Sequence, residues 1–295
     1  MKHAFLIIAH NEYPVLEVLL TMLDDERNDI YLHIDKRSPA LYAQISALKL
    51  KHASLYLIEN PLKAYWGDIS LVKIEYLLFE NAYRNGPYAY YHLMSGVDLP
   101  LKSQDYIHTF FGTHQGEEFV GFWNGKSHDR DLKRKVGRYY LFTERMKDKG
   151  TTSHKVRAFC RNVVLTLQKV CFYQRSREFE FKKGSQWVSI THDLCGLIIQ
   201  YKEVILRRFR YTLCPDEIFI QTLVWNSSFR KKLYKGDESE SNAMRAIDWT
   251  RGGPYVWKDE DLDELVSSPL LFARKFSSQQ FEVVKSLKEL YSGPE

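Results

Sequence analysis

Two short stretches of this chain combine residue types that can do chemistry together. In Cys214-Pro215-Asp216-Glu217, followed by the apolar run Ile218-Phe219-Ile220, proline suits a first helical position because its missing N–H would have no partner there. The helix dipole favours ionised acids just after it. A carboxylate held on such a rigid element and facing a cleft can act as a general base, although the same four residues can do no more than cap a helix. Farther on, Phe272-Ala273-Arg274-Lys275-Phe276 sets two adjacent cations between aromatic anchors. Arginine offers phosphate a bidentate fork and lysine a point charge. The pair can therefore stabilise charge on a departing diphosphate, with a plain basic surface pair as the alternative. A base and such cations suit transfer of a group from a phosphate-bearing donor.

These residues must be positioned by the elements around them. The first third alternates apolar runs with helical periodicity, which predicts an α/β fold with a mixed, mostly parallel sheet flanked by helices. Strands are expected at 5–9, 30–34, 54–58 and 88–94, and helices at 13–23, 42–48 and 68–83. Asp35 and Asp98 follow or break the second and fourth of these strands, and in open α/β sheets ligands lie beyond the carboxyl ends of strands. Further strands are expected at 119–123 and 184–190, helices at 193–201 and 277–291, and a mobile acidic loop at 236–242. The stretch 154–174 reads as a basic amphipathic helix whose apolar side packs on its own domain, with a membrane surface as the alternative.

Composition narrows the class. The chain has 295 residues, 44% apolar, 27% charged and 14% aromatic with 19 tyrosines, enough apolar content for a substantial core in one α/β unit. The cysteines Cys160, Cys171, Cys195 and Cys214 are too far apart for a CxxC pair, which suits a reduced, cytosolic compartment. The apolar run at 5–9 is shorter than a signal-peptide core and is read as a buried first strand. No stretch approaches the roughly 20 apolar residues of a membrane span. Net charge is +5, with 17 lysines and arginines between Lys126 and Lys183, a region read first as a solvated insertion, with a docking face for an anionic membrane or glycan as the functional alternative and nucleic acid the weaker option, since no motif for it is present. There is no Walker loop and no GxGxxG. The Asp-x-Asp pairs at Asp129/Asp131 and Asp261/Asp263 are not at strand ends of the first sheet, and neither is expected to hold a metal.

An ordered set of motifs then becomes specific. His33-Ile34-Asp35-Lys36-Arg37, Trp66-Gly67, the run Tyr91 to Lys102 with Ser95-Gly96-Val97-Asp98, Gly184-Ser185-Gln186-Trp187, Pro215-Asp216-Glu217, Ile247-Asp248-Trp249 and Phe272 to Phe276 together resemble the core-2/I-branching β-1,6-N-acetylglucosaminyltransferase family, which also contains peptide O-xylosyltransferases. The compact length is similar to that of bacterial members. The resemblance implies a GT-A-type, inverting, metal-independent transferase using a UDP-sugar, with a nucleotide-binding half at 1–115 and an acceptor half at 116–295 that carries the basic insertion at about 126–183. It implies Glu217 as catalytic base, Asp35 and Arg37 at the nucleotide, Asp98 near the donor ribose and sugar, and Arg274 and Lys275 at the diphosphate. A further phosphate-binding arginine is Arg245 or Arg251. Trp187, Trp66 and Asp216 fall where sugar contacts or their supports are expected.

The implied donor sugar is N-acetylglucosamine, with xylose or glucose as alternatives. No cofactor is expected, the partners are a UDP-sugar and a glycan acceptor, and the location is cytoplasmic with peripheral membrane contact through 126–183. Two other readings stay open at the level of residues. One is a metal-dependent transferase or hydrolase using Asp129 and Asp131, or His33 and Asp35. The other is a glycan-binding, membrane-docked protein without a base.

Overall fold

The computed structural model describes residues 2–146, 152–175, 178–236 and 239–292. In chain order the first half comprises β1 (His3–Ala9), α1 (Tyr13–Met22), β2 (Asn28–Ile34), α2 (Pro39–Ser46), β3 (Ser54–Leu57), α3 (Ile69–Asn85), β4 (Tyr90–Ser95), β5 (Asp98–Pro100) and α4 (Gln104–Thr113). The second half comprises α5 (Lys126–Gly137), α6 (Thr152–Val170), β6 (Ser189–Thr191), α7 (His192–Gln200), α8 (Lys202–Phe209), α9 (Phe219–Trp225), β7 (Arg245–Ile247), α10 (Leu262–Ser267), β8 (Phe272–Arg274) and α11 (Phe281–Tyr291). A five-stranded sheet runs β3-β2-β1-β4-β6, parallel except for β6, beside a three-stranded sheet β5-β8-β7. The expected mixed, mostly parallel sheet flanked by helices is the observed architecture.

The central strand shows why this sequence folds so. Every residue of β1 is buried, and its side chains alternate between two cores, as the period of two requires. Ala4, Leu6 and Ile8 pack with Val72, Tyr76 and Phe79 of α3. Phe5, Ile7 and Ala9 pack with Leu16 and Leu19 of α1 and Val284 and Leu287 of α11. Each large side chain so buried contributes about 1.5–3 kcal/mol, which is why a run without polar alternation is stable only with helices on both faces.

Several expectations are corrected by backbone pairing. Asp98 does not end β4. It sits on β5 of the second sheet, directly opposite Arg274 of β8. The stretch 119–123 is not a strand: Phe119 pairs with Ser189, but the Phe122 N–H goes to Ser239 and the Trp123 N–H to Lys183, so the partner changes at each step. Only Ser189 and Ile190 of the 184–190 run are strand, in an element that continues to Thr191, because the Gly184 N–H turns to the Glu217 carbonyl and the Trp187 N–H to Ser185 Oγ. Within 236–242, residues from Glu240 onward form a 3-10 turn, Glu240–Ala243, and 237–238 lie outside the described residues.

Helix α6 departs most from expectation. None of its residues is buried, and the apolar stripe Val156, Phe159, Val163, Leu167 and Val170 faces solvent, with Phe159 68% and Val170 66% exposed and Phe172 just beyond at 90%. The inward side is held instead by Leu165 against Tyr140 and Leu213, and by Gln168, which bonds both the N–H and the carbonyl of Tyr139. No helix among the described residues is long and apolar enough to cross a membrane.

Candidate active site

Glu217 is positioned by a short turn rather than by the first turn of an α-helix. Pro215–Glu217 is 3-10, entered through Cys214 in the left-handed region at φ 49°, and α9 begins two residues later at Phe219. Two glycines make this turn possible. The Cys214 N–H donates to the carbonyl of Gly67, whose φ is +71°. Gly184 donates its N–H to the Glu217 carbonyl while lying so close to Gly121 that an added Cβ would stand 1.9 Å from the Gly121 oxygen. Only glycine permits that approach.

The Glu217 side chain is anchored by lysines, where the dipole of a helix was the expectation. Its Oε2 is 3.2 Å from Lys135 Nζ and 3.3 Å from Lys183 Nζ. The same two ammonium groups lie 3.1 and 2.9 Å from Asp131 Oδ2, so two carboxylates share two cations. Asp131 is held well below the usual carboxylate range because Lys183, Lys135 and Arg134 together outweigh its desolvation. Behind the turn, burial and the neighbouring Glu217 raise the Asp216 carboxyl to about 7. Glu75 of α3 is fully buried, pushed well above the carboxylate range by desolvation, and accepts a 2.6 Å bond from Gln186.

The cleft in front of Glu217 has a volume of about 530 Å³, and its wall includes Asp35, Arg37, Trp66, Trp187, Asp216 and Arg274. Asp35, one residue past β2, accepts from the Arg37 N–H at 2.7 Å, from the Arg37 guanidinium at 3.0 and 2.7 Å, and from the Ala64 N–H at 3.0 Å. Its pKa is lowered by these bonds against the opposing effect of burial. The Arg37 guanidinium also lies over the Tyr65 ring at 4.8 Å. Asp98 is buried behind the wall and does not itself line the cleft; it accepts from the Ser95 N–H at 2.8 Å and from Arg274 Nη1 at 2.7 Å. Burial raises the Asp98 pKa, opposed by Arg274. The same guanidinium stacks on Trp187 at 4.7 Å, which aims a cation into the cleft from a ring and a carboxylate that fix it.

The sequence profile of the Core-2/I-Branching enzyme matches residues 3–263. The chain belongs to the Core-2/I-Branching enzyme family. Among curated relatives, rat xylosyltransferase 2 is 25% identical over 301 residues, covering 94% of this chain and 32% of the relative. Xylosyltransferase oxt of Drosophila melanogaster is 25% identical over 300 residues, with the same coverage of 94% and 32%. The chain thus spans about a third of the length of these curated relatives. A crystal structure of mouse xyloside xylosyltransferase 1 in its apo form aligns over 92% of this chain and 97% of its own, with a TM-score of 0.39 and 8% identity.

The remaining candidates are placed unevenly. Trp66 is half-exposed at the cleft rim and Asp216 is buried in its wall. Lys275 is half-buried beside Arg274, its N–H bonded to Tyr255 and its carbonyl to Trp257, and is not among the residues lining the cleft. Arg245 lies inside the protein: its guanidinium bonds the carbonyls of Ala243 and Val188 and rests 4.6 Å from the Phe272 ring, and burial lowers its pKa to about 9. Arg251 is clamped by Asp248, Asp261 and Glu264 and stacked on Tyr255. Neither arginine lines the cleft.

His33 is fully buried, with Nε2 accepting the Leu62 N–H at 2.9 Å. Among the described residues, no group of three or more His, Cys, Asp or Glu is arranged to hold a metal ion. Sequence reasoning missed Lys135, Lys183 and Trp123 as site residues, and it named Asp131 and Gln186 without their roles as partners of the Glu217 lysines and of Glu75. The one local signal was Lys183, adjacent to the Gly184-Ser185-Gln186-Trp187 motif.

Proposed function

We propose that this chain is an inverting, metal-independent glycosyltransferase of the GT-A type that moves a sugar from a UDP-sugar to a hydroxyl of a glycan. The observation that carries this reading is the single cleft wall shared by Glu217, the Asp35–Arg37 pair and the Arg274 guanidinium. Glu217 takes the proton of the acceptor hydroxyl as that oxygen attacks the anomeric carbon from the side opposite the diphosphate. The new C–O bond forms as the bond to the diphosphate oxygen breaks, and the electron pair leaves with UDP. Arg274, with Lys275 behind it, faces the negative charge that builds there. One in-line displacement converts an α-linked donor into a β-linked product.

The resemblance in motif order favours N-acetylglucosamine as the sugar. The naming of the curated relatives as xylosyltransferases favours xylose as the second reading. Metal independence is supported by the Arg274 guanidinium in the cleft wall, a cation able to supply the countercharge that a leaving diphosphate needs. We further propose a cytoplasmic location with peripheral contact at the inner membrane face, supported by the exposed apolar stripe of α6 flanked by Lys155 and Arg157. The test is a panel of UDP-N-acetylglucosamine, UDP-xylose and UDP-glucose, with turnover measured in excess EDTA and product configuration read by NMR. β-Linked product without added metal is expected. Retention of the α configuration overturns inversion, and EDTA loss restored by Mg²⁺ or Mn²⁺ overturns metal independence.

A further inference from the structure

A second cavity of about 670 Å³ adjoins the first, walled by α5, the end of α6 and the segments 172–175 and 179–183. Trp123 lines both cavities. Lys183, whose ammonium stands 4.7 Å over the Trp123 ring, lines the second cavity and touches Glu217. The wall carries nine lysines and arginines against the two carboxylates Asp129 and Glu180. Among the described residues, Lys133, Arg138 and Lys169 form no ion pair. Like charges gathered round a concavity repel one another and focus a positive field into it. Phe172, Tyr173, Phe179 and Phe181 supply apolar faces in the same wall.

We propose that this cavity binds the acceptor, and that the acceptor is an anionic glycan whose carboxylate or phosphate groups pair with Lys133, Arg138 and Lys169 while its sugar rings lie on the aromatic faces. The inference rests on the transferase reading and specifies the substrate class of that site. Arginine forks and lysine point charges fit carboxylate and phosphate oxygens. Aromatic faces fit the C–H faces of pyranose rings. A glycan anchored there passes Trp123 and reaches Glu217 with its next hydroxyl. A bilayer does not fit the concave wall. Gln168 and Lys169, which line the cavity, project from the side of α6 away from the Val156 to Val170 stripe.

The test is equilibrium binding, with UDP present, of three probes. They are a tetrasaccharide of alternating glucuronic acid and N-acetylglucosamine, its carboxyl-reduced neutral form, and the neutral form bearing one phosphomonoester. Either acidic form is expected to bind at least tenfold more tightly than the neutral one. That preference should vanish in Lys133→Glu/Arg138→Glu and in the milder Lys133→Gln/Arg138→Gln, but persist in Lys51→Glu/Lys73→Glu, which changes exposed lysines outside both cavities.

Preference for the phosphomonoester alone assigns phosphate, and preference for the uronate alone assigns carboxylate. Equal affinity for all three probes, or equal loss in the control variant, overturns the proposal. So does a cavity variant that loses binding to phosphatidylglycerol vesicles while keeping the glycan preference. Failure of the wild type to bind UDP counts against the donor reading and leaves the glycan comparison standing.

Discussion

Lys135 Nζ lies 3.2 Å from Glu217 Oε2 and 3.1 Å from Asp131 Oδ2, on a side chain only 8% exposed. A buried ammonium between two carboxylates fixes the direction in which Glu217 points, and direction is what a base needs once its substrate is bound. Glu217→Gln is expected to lower transfer by about 10²–10⁴-fold, the usual share of general base catalysis. An undiminished rate removes Glu217 from that role. Lys135→Met, which leaves the base in place but held by Lys183 alone, should lower kcat by about tenfold or more with little change in the donor KM. Steady-state kinetics with the donor varied separates the two, and an unchanged kcat overturns the anchoring role.

The Asp98–Arg274 pair is nearly enclosed, with side chains 2% and 19% exposed. Removing one member leaves a buried charge without its partner, so Arg274→Met should destabilise by about 3–5 kcal/mol in urea unfolding. Asp98→Asn/Arg274→Met should recover much of that loss without recovering UDP affinity. A double variant no more stable than the single one means that the pair does not act as a unit.

His33 gives stability a pH dependence of known sign. Burial lowers its pKa to about 4, and its Nε2 accepts a backbone N–H, a bond that only the neutral ring can make. The unfolded chain takes up the proton near 6.5, so the unfolded state binds more protons between about 6.5 and 4 and stability falls as pH falls through that window. The advantage of the wild type over His33→Asn should shrink by about 3 kcal/mol between pH 7 and pH 4. Denaturant midpoints at both pH values measure it, and a constant difference rules it out.

Two glycines should behave oppositely. Gly184→Ala drives a methyl group into the Gly121 carbonyl, and we expect a loss of about 3 kcal/mol or more together with loss of transfer, since the same residue holds the Glu217 carbonyl. Gly112, near the end of α4, has nothing within 4 Å of an added Cβ, so Gly112→Ala should stabilise by about 0.5–1 kcal/mol. Thermal unfolding of both variants decides the pair.

For α6, sedimentation with vesicles is the measure. Wild type should pellet with vesicles containing phosphatidylglycerol and remain free of phosphatidylcholine ones. Phe159→Asp/Leu167→Asp should abolish pelleting, because both side chains are more than half exposed on the stripe and a charge there opposes burial in lipid. Pelleting that survives the double substitution removes the stripe from membrane contact.

The fold was legible because β1, α1, α3 and α11 carry strong periodicity, and local pattern there agrees with tertiary packing. The Glu217 turn was legible as Pro-Asp-Glu. Its lysine partners were not, because Lys135 is 82 residues away and only chain folding brings it there. Periodicity groups the apolar residues of α6 on one side but says nothing about which way that side faces. Arg245 has the right chemistry for phosphate, yet nothing local distinguishes a cation directed at the Val188 carbonyl from one directed at a ligand.

Trp123 belongs to both cavities, and this joins two properties that could otherwise vary separately. If the two cavities hold the donor and the acceptor as proposed, a change in that indole is expected to alter selectivity for both at once, so neither could be tuned alone from there. On the same proposal, diversification toward new acceptors would be open at the far wall, around Phe172 and Phe179, where a substitution leaves the neighbourhood of Glu217 untouched.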